Sequence, residues 1–131
     1  MLTEEQAAAF AAEWYAAWAS DDLDRIMSQW ADDAVFTSPW IEHLFGDPSA
    51  TVHGKEALRA YWQHAANNVD PANGRFEPRA LLVGANSLVL SYRNQRGMEC
   101  AEVLIIGDDG LAHRGFAHHS RPIGRDAERS G

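Results

Sequence analysis

Apolar side chains recur at helical spacing through the first thirty residues of the chain. Residues 3–19 predict a first helix whose apolar stripe carries three large rings at every fourth position, Phe10, Trp14 and Trp18. The pair Asp21-Asp22 predicts a break and the cap of a second helix. Residues 23–30 predict that short helix, with an apolar face of Leu23, Ile26, Met27 and Trp30. Three rings on one stripe indicate that the first helix lines an apolar space.

The next segment combines one short strand, a loop and a third helix. Residues 35–38 predict a strand that Pro39 ends. Residues 40–52 contain Gly46, Pro48 and Ser49 and predict a long loop, the kind of segment that often covers a site. Residues 54–68 predict an amphipathic helix, and the polar residues at 67–74 predict a turn.

The rest of the chain alternates between apolar and polar positions, as strands do. Residues 75–83, 87–93, 98–106 and 111–120 are separated by turn signals and predict an antiparallel meander. Alternation places Glu102 among apolar neighbours, on the same face as Cys100 and Leu104. It leaves open whether the face of the last strand that carries His119 points inward. We predict one domain over residues 1–122 and a flexible tail over 123–131, which has no apolar anchor.

Composition and charge limit the function classes. The chain has 131 residues, one cysteine and a formal net charge of −8, which argues against nucleic acid and anionic membrane surfaces as partners. One cysteine cannot form an internal disulfide, and no apolar run approaches the length of a membrane-spanning helix. We therefore predict a soluble, cytoplasmic protein.

Several short motifs together resemble a known fold family. The chain is similar, over nearly its whole length, to the SnoaL-like and ketosteroid-isomerase-like branch of the NTF2-like superfamily. The resemblance lies in Asp22-Leu23 with Ile26, the run from Trp30 to Val35, Pro39, the run from His53 to Leu58, Tyr61-Trp62 and the Asp109-Gly110 turn. It implies an α+β fold, the NTF2-like cone, in which three N-terminal helices pack on a strongly curved and mostly antiparallel sheet around a pocket.

The same resemblance locates a candidate site. Isomerases of this branch use a tyrosine on the first helix, an aspartate base before the proline that ends the first strand, and a protonated carboxylic acid on a later strand. The matching positions here hold Trp14, Ser38 and Glu102. Neither Trp14 nor Ser38 can move a proton as the replaced residues do, since tryptophan only donates a hydrogen bond and serine has no basicity near neutral pH.

Glu102 and His119 are the candidate catalytic residues. Burial of Glu102 on an aromatic-lined face disfavours its charged form and makes it a usable acid or base. Its alternative is a carboxylate at the pocket rim or paired with Arg79 or Arg93. His119, on the adjacent strand, has the pKa range for proton transfer with Glu102, and its alternative is a structural histidine.

The aromatic and polar residues around them predict a ligand site. We predict ligand contacts from Trp14, Trp18, Ser38, Trp40, His43, Tyr61, Tyr92 and Cys100. Cys100 has no activating base, so we do not expect a nucleophile. His118 and His119 point to opposite faces and lack a third ligand, so we predict no metal and no cofactor.

These features lead to one functional hypothesis and one alternative. The hypothesis is a small hydrophobic molecule bound in the pocket, with cofactor-independent proton transfer of the isomerase, cyclase or dehydratase type. The alternative is a non-catalytic binding or scaffold module. Both fit a homodimer through the apolar convex face formed by Val89, Ala101, Val103, Ile105 and Phe116.

Overall fold

A computed structural model describes residues 1–66 and 75–120. The predicted turn at 67–74, the last two residues of the predicted third helix and the predicted tail lie outside the described residues. Helices and strands follow one another as α1 Glu4–Ser20, α2 Leu23–Met27, β1 Trp30–Thr37, α3 Pro39–Phe45, β2 Thr51–His53, α4 Lys55–Ala66, β3 Glu77–Val83, β4 Ser87–Arg93, β5 Glu99–Ile106 and β6 Ala112–His119.

The six strands form one curled, open sheet in the order β2-β1-β6-β5-β4-β3. Among the strands of residues 1–66 and 75–120, only the β1–β6 pair is parallel; the other four pairs are antiparallel. The predicted α+β architecture, with helices on a curved and mostly antiparallel sheet, is confirmed. The predicted meander corresponds to β3 to β6, and each of its strands begins within two residues of the predicted start.

Two predictions about the region before α4 are wrong. Trp30 does not end a helix: it is the first residue of β1 and pairs with Ala112 of β6. The segment 40–52 is not a loop throughout, because it contains most of α3 and the first two residues of β2. Ser38 caps α3, Pro39 occupies its first turn and Gly46 ends it in the left-handed conformation. These are ordinary signals of a short helix that the proline and glycine content of the segment concealed.

Strand register decides which side chains face the helices. Leu88 and Leu90 on β4, and Glu102 and Leu104 on β5, are all buried on the concave side. On β6, Gly115 lies opposite Leu104, and His119 lies opposite Cys100, so this set faces the same way. The predicted face sets are thus correct for β4 and β5, and the open question about β6 is settled for its second half.

Gly115 leaves room beside β6 for two aromatic rings of the core. A Cβ atom at Gly115 would come within 2.6 Å of the Trp30 ring and 2.7 Å of the Phe36 ring. The rings of Trp30, Phe36 and Trp62 pack edge to face at 5.3 to 5.5 Å between centroids. This aromatic core holds α4 against β1 and forms one side of the cavity described next.

Candidate functional site

A cavity of about 1030 Å³ lies on the concave side of the sheet. Residues from α1, α2, α3, α4 and four strands line it, together with Asn94, Gln95 and Arg96 of the turn between β4 and β5. Eight of the ten predicted site residues line this cavity: Trp18, Ser38, Trp40, Tyr61, Tyr92, Cys100, Glu102 and His119. The fold therefore brings together residues that are up to 101 positions apart in the chain, from Trp18 to His119.

Glu102 is the buried acid of the cavity. It is 2% exposed, and its Oε2 atom has no hydrogen-bond partner in the part of the chain that the structure describes. Loss of hydration on burial raises the pKa of Glu102 to about 8. Most Glu102 side chains are consequently protonated at neutral pH, and such a carboxylic acid can donate a hydrogen bond to a ligand.

The alternative that Glu102 pairs with Arg79 or Arg93 is wrong. Arg79 forms ion pairs with Glu77 and Glu99, and Arg93 lies 3.9 Å from Glu77. Alternation explains this result, because Arg93 and Glu99 lie opposite each other in the β4–β5 pair. Each is one position away from an inward-facing residue of its own strand, so both point to the outer face. These two arginines thus pair with carboxylates on the outer face and not with Glu102.

Ser38 and Tyr61 form a hydrogen-bonded pair beside Glu102. The Tyr61 hydroxyl donates to Ser38 Oγ at 3.1 Å, and the Trp40 backbone N–H donates to the same oxygen at 3.3 Å. Burial is the main reason that the pKa of Tyr61 is raised to about 12, with a contribution from the nearby Glu102 charge. Ser38 Oγ therefore accepts two hydrogen bonds, and its own hydrogen is available to a third group such as a ligand oxygen.

Aromatic rings form most of the cavity wall. Trp18 packs edge to face on Trp62 at 5.2 Å, and Phe76 lies 5.2 Å from Tyr92. Phe76, just before β3, was not among the predicted site residues; its position next to a predicted turn hid it. Burial also raises the pKa of Tyr92 well above 10, so its hydroxyl stays protonated. Such a wall suits a flat, mostly apolar molecule.

Two predicted ligand residues do not line the cavity. Trp14 is 1% exposed and packs against the rings of Tyr15, Trp18, Phe76 and Tyr92, so it belongs to the core behind the wall. His43 lies on the exposed face of α3, edge to face with Trp40 at 5.3 Å. His43 does not line the cavity because α3 turns it outward. Trp14 does not line it because its ring lies deep in the aromatic layer on α1.

Cys100 and His119 lie side by side on the cavity surface, opposite each other in the β5–β6 pair. Burial is the main reason that the pKa of Cys100 is raised to about 11, so its thiol is protonated at neutral pH and is not an activated nucleophile. His119 stacks at a tilt on Trp40, 5.6 Å between ring centroids. It is diagonal to Glu102 across the strand pair, a relation that usually separates residues by about 7 to 8 Å.

The structure adds three charged cavity residues that were not predicted, Asp21, Arg75 and Arg96. Arg96 lines the cavity, and its guanidinium carbon lies over the Trp40 ring, 4.8 Å from the centroid. In the sequence Arg96 is one residue of a polar turn, and only the position of α3 brings Trp40 beneath it.

In the described ranges, no three His, Cys, Asp or Glu side chains form a group that could hold a metal ion, and no helix is long and apolar enough to cross a membrane.

Solved structures establish the fold. An NTF2-like protein of unknown function from Burkholderia xenovorans is 20% identical, over 99% of this chain and 94% of that one, with a TM-score of 0.71. A candidate ketosteroid isomerase from Kribbella flavida is 18% identical, over 93% of this chain and 86% of that one, with a TM-score of 0.64. The fold is therefore the NTF2-like fold.

A nearer relative and a family match define the family. A SnoaL-like protein of unknown function from Burkholderia thailandensis is 35% identical, over 91% of this chain and 98% of that one, with a TM-score of 0.83. Residues 11–119 match the family described as the SnoaL-like domain, and the chain belongs to that family. No curated protein matches this chain.

Proposed function

We propose that the cavity binds a small, mostly apolar molecule that carries a carbonyl oxygen, and that Glu102 donates a proton to that oxygen. The Oε2 atom of Glu102, which has no hydrogen-bond partner among the described residues, carries this proposal. A buried polar atom without a partner is costly, and a ligand oxygen would supply the missing partner. The raised pKa keeps the proton on Glu102 at neutral pH, so the group is ready to act as an acid.

The reaction that fits this arrangement is keto–enol proton transfer. His119 takes the proton from the carbon next to the carbonyl, the electron pair of that C–H bond forms a carbon–carbon double bond, and the carbonyl oxygen receives the Glu102 proton. Return of a proton to a different carbon gives isomerisation. Loss of a β-hydroxyl group gives dehydration: the hydroxyl leaves as water with the proton held by His119, and the enol oxygen returns its proton to Glu102. These steps need only a proton donor and a proton acceptor of this chain, so the proposal includes no cofactor.

One observation favours the alternative, a non-catalytic binding module. Ser38 occupies the position of the catalytic base in the isomerases that the sequence resembles, and in this structure it caps α3 and accepts from Tyr61. A protein that keeps the pocket and lacks that base could bind a ligand without converting it. The two functions therefore differ in whether bound ketone exchanges its carbon-bound protons.

Deuterium exchange into a bicyclic ketone tests the proposal without knowledge of the natural substrate. We would incubate 2-tetralone with the protein in D₂O, follow loss of its α-proton signals by NMR, and measure binding by quenching of tryptophan fluorescence. We expect the wild-type protein to accelerate exchange over buffer, and E102Q to lose about 100-fold or more of that acceleration. The acceleration should fall as the pH rises through about 8, because the protonated form of Glu102 is the active one.

A matched control removes a carboxylate from the same strand. Glu99 is exposed on the outer face and paired with Arg79, so E99Q should leave exchange and quenching unchanged. The hydroxyls of Tyr61 and Tyr92 and the thiol of Cys100 do not contribute to the profile near pH 8, since their pKa values are raised further. Quenching without exchange would assign the binding module, and the absence of both would overturn the proposal.

A further inference from the structure

Arg96 differs from most arginines of the described chain in having no carboxylate partner there. Ion pairs occupy the guanidinium groups of Arg25, Arg59, Arg79 and Arg93. Arg96 instead lies half-buried over Trp40 at the cavity. The chain has a net charge of −8 and thus an excess of carboxylates, so an arginine at a pocket with no carboxylate partner among the described residues is a specific arrangement. Arg75 also lines the cavity, but the guanidinium that lies over a ring of the cavity wall is that of Arg96.

The turn that carries Arg96 is held in one shape. Asn94 Oδ1 accepts the backbone N–H groups of Arg96 at 3.0 Å and Met98 at 2.9 Å, and Gly97 adopts a left-handed conformation with φ of 81°. The guanidinium is therefore presented from a fixed hairpin end. Its contact with the Trp40 ring further restricts the side chain and leaves its N–H donors without a hydrogen-bond partner among the described residues.

We propose that Arg96, positioned by Trp40, binds a carboxylate of the ligand, so that the natural substrate is an apolar carboxylic acid. An arginine fork matches the two oxygens of a carboxylate, and such charged hydrogen bonds are among the stronger ones. The inference rests on the proposed function, because it takes the same cavity as the binding site and adds the chemical class of the ligand.

In this proposal the two ends of the cavity bind different parts of the ligand. From Glu102 to Met98, which borders the Arg96 turn, the strand extends about 13 Å at the usual rise per residue. The carboxylate of the substrate lies at Arg96, and its apolar body, one or two rings long, extends along the aromatic wall toward Glu102. A protonated Glu102 does not repel an anionic ligand, which makes the two groups compatible at neutral pH.

A pair of matched probes tests the inference. Binding of 2-naphthoate and of its methyl ester would be measured at pH 7 by isothermal titration calorimetry. We expect the wild-type protein to bind the carboxylate on the order of tenfold more tightly than the ester. R96Q should lose that preference and keep its affinity for the ester, and R96K should retain part of the preference.

Arg114 offers a matched control for the loss of charge. Its guanidinium lies over the Phe116 ring at the same 4.8 Å, yet it does not line the cavity. R114Q should therefore keep the preference for the carboxylate. An equal loss in R96Q and R114Q would mean a long-range charge effect and would overturn the inference, as would equal weakening of both probes by R96Q.

The outcome also separates this inference from the proposed function. The wild-type protein could bind the ester as tightly as naphthoate, or more tightly. That result would overturn the carboxylate subsite and leave the apolar pocket supported. Binding of neither probe would overturn both. Unfolding curves of R96Q and R114Q would show whether either substitution acts by destabilising the fold.

Discussion

Glu102 is a carboxyl group buried in surroundings that do not stabilise its charge. Its neighbours in the strand ladder are Leu90 on one side and Ala117 on the other, and neither can donate a side-chain hydrogen bond. The carboxyl therefore resembles a proton donor in an apolar solvent more than a surface glutamate. Alternation alone was enough to predict that Glu102 is buried. It could not predict the missing partner, because that depends on Arg79 and Arg93 lying on the other face of the sheet.

The raised pKa of Glu102 has a consequence for stability that does not require any ligand. The unfolded chain ionises Glu102 near its ordinary value of 4.5, and the folded chain does so near 8. Between these pH values the unfolded state releases a proton that the folded state keeps, so the free energy of unfolding decreases as the pH rises. This contribution is fully present below pH 4.5 and lost above about pH 8, and it changes the folded-to-unfolded ratio about tenfold per pH unit.

Urea unfolding of E102Q and wild-type protein at pH 5, 7 and 9 measures this effect. We expect E102Q to gain stability relative to the wild-type protein as the pH rises toward 8, and the difference to be constant above that. E99Q removes an exposed carboxylate from the same strand and should follow the wild-type curve. Parallel curves for E102Q and wild-type protein would mean that Glu102 ionises normally in the fold.

At the scale of elements, long patterns were predictable and short ones were not. The helix at α1 and the strands β3 to β6 have enough residues for a period of 3.6 or 2 to stand out. The elements α3 and β2 have seven and three residues, which is too few for a period. The site depends on these short elements, since α3 carries Trp40 and turns His43 outward. The prediction that Trp14 lines the pocket differs from the structure for another reason. Periodicity places its ring on a buried stripe but does not say how deep the stripe lies.

The start of α3 can be tested by a double-mutant cycle on Ser38 and Tyr61. S38A removes the cap of α3 and leaves the buried Tyr61 hydroxyl without its acceptor, so we expect a loss of about 2 to 3 kcal/mol in the free energy of unfolding. Y61F removes only the donor and should cost about 1 kcal/mol. The double variant should cost less than the sum, because no stranded hydroxyl remains. Strict additivity in urea unfolding would show that the hydrogen bond does not couple the two residues.

The whole molecule has two sheet faces with different surfaces. The concave face is occupied by the core and the cavity, whereas the convex face carries an apolar row across four strands. Register places Leu82, Val89, Val103 and Phe116 side by side in this row, next to Ile105. Leu82 is 63% exposed and Ile105 is 37% exposed, and a contiguous apolar surface of this kind is typical of an interface. We propose that this face joins two copies of the chain, because two chains of the same net charge need apolar contact to associate.

Light scattering coupled to size-exclusion chromatography tests this assembly. We expect the wild-type protein to have twice the 14.5 kDa mass of one chain, and L82E and I105E to shift it toward one chain, because each introduces a charge that association would have to desolvate. A9E adds the same charge on the exposed side of α1 and should remain dimeric. The cavity lies on the opposite face, so the monomeric variants should still bind 2-tetralone with unchanged affinity. This face is excluded as the interface if the wild-type protein has the mass of a single chain, or if the dimer persists in both L82E and I105E. If L82E and I105E lose binding and A9E keeps it, the partner copy helps to shape the pocket.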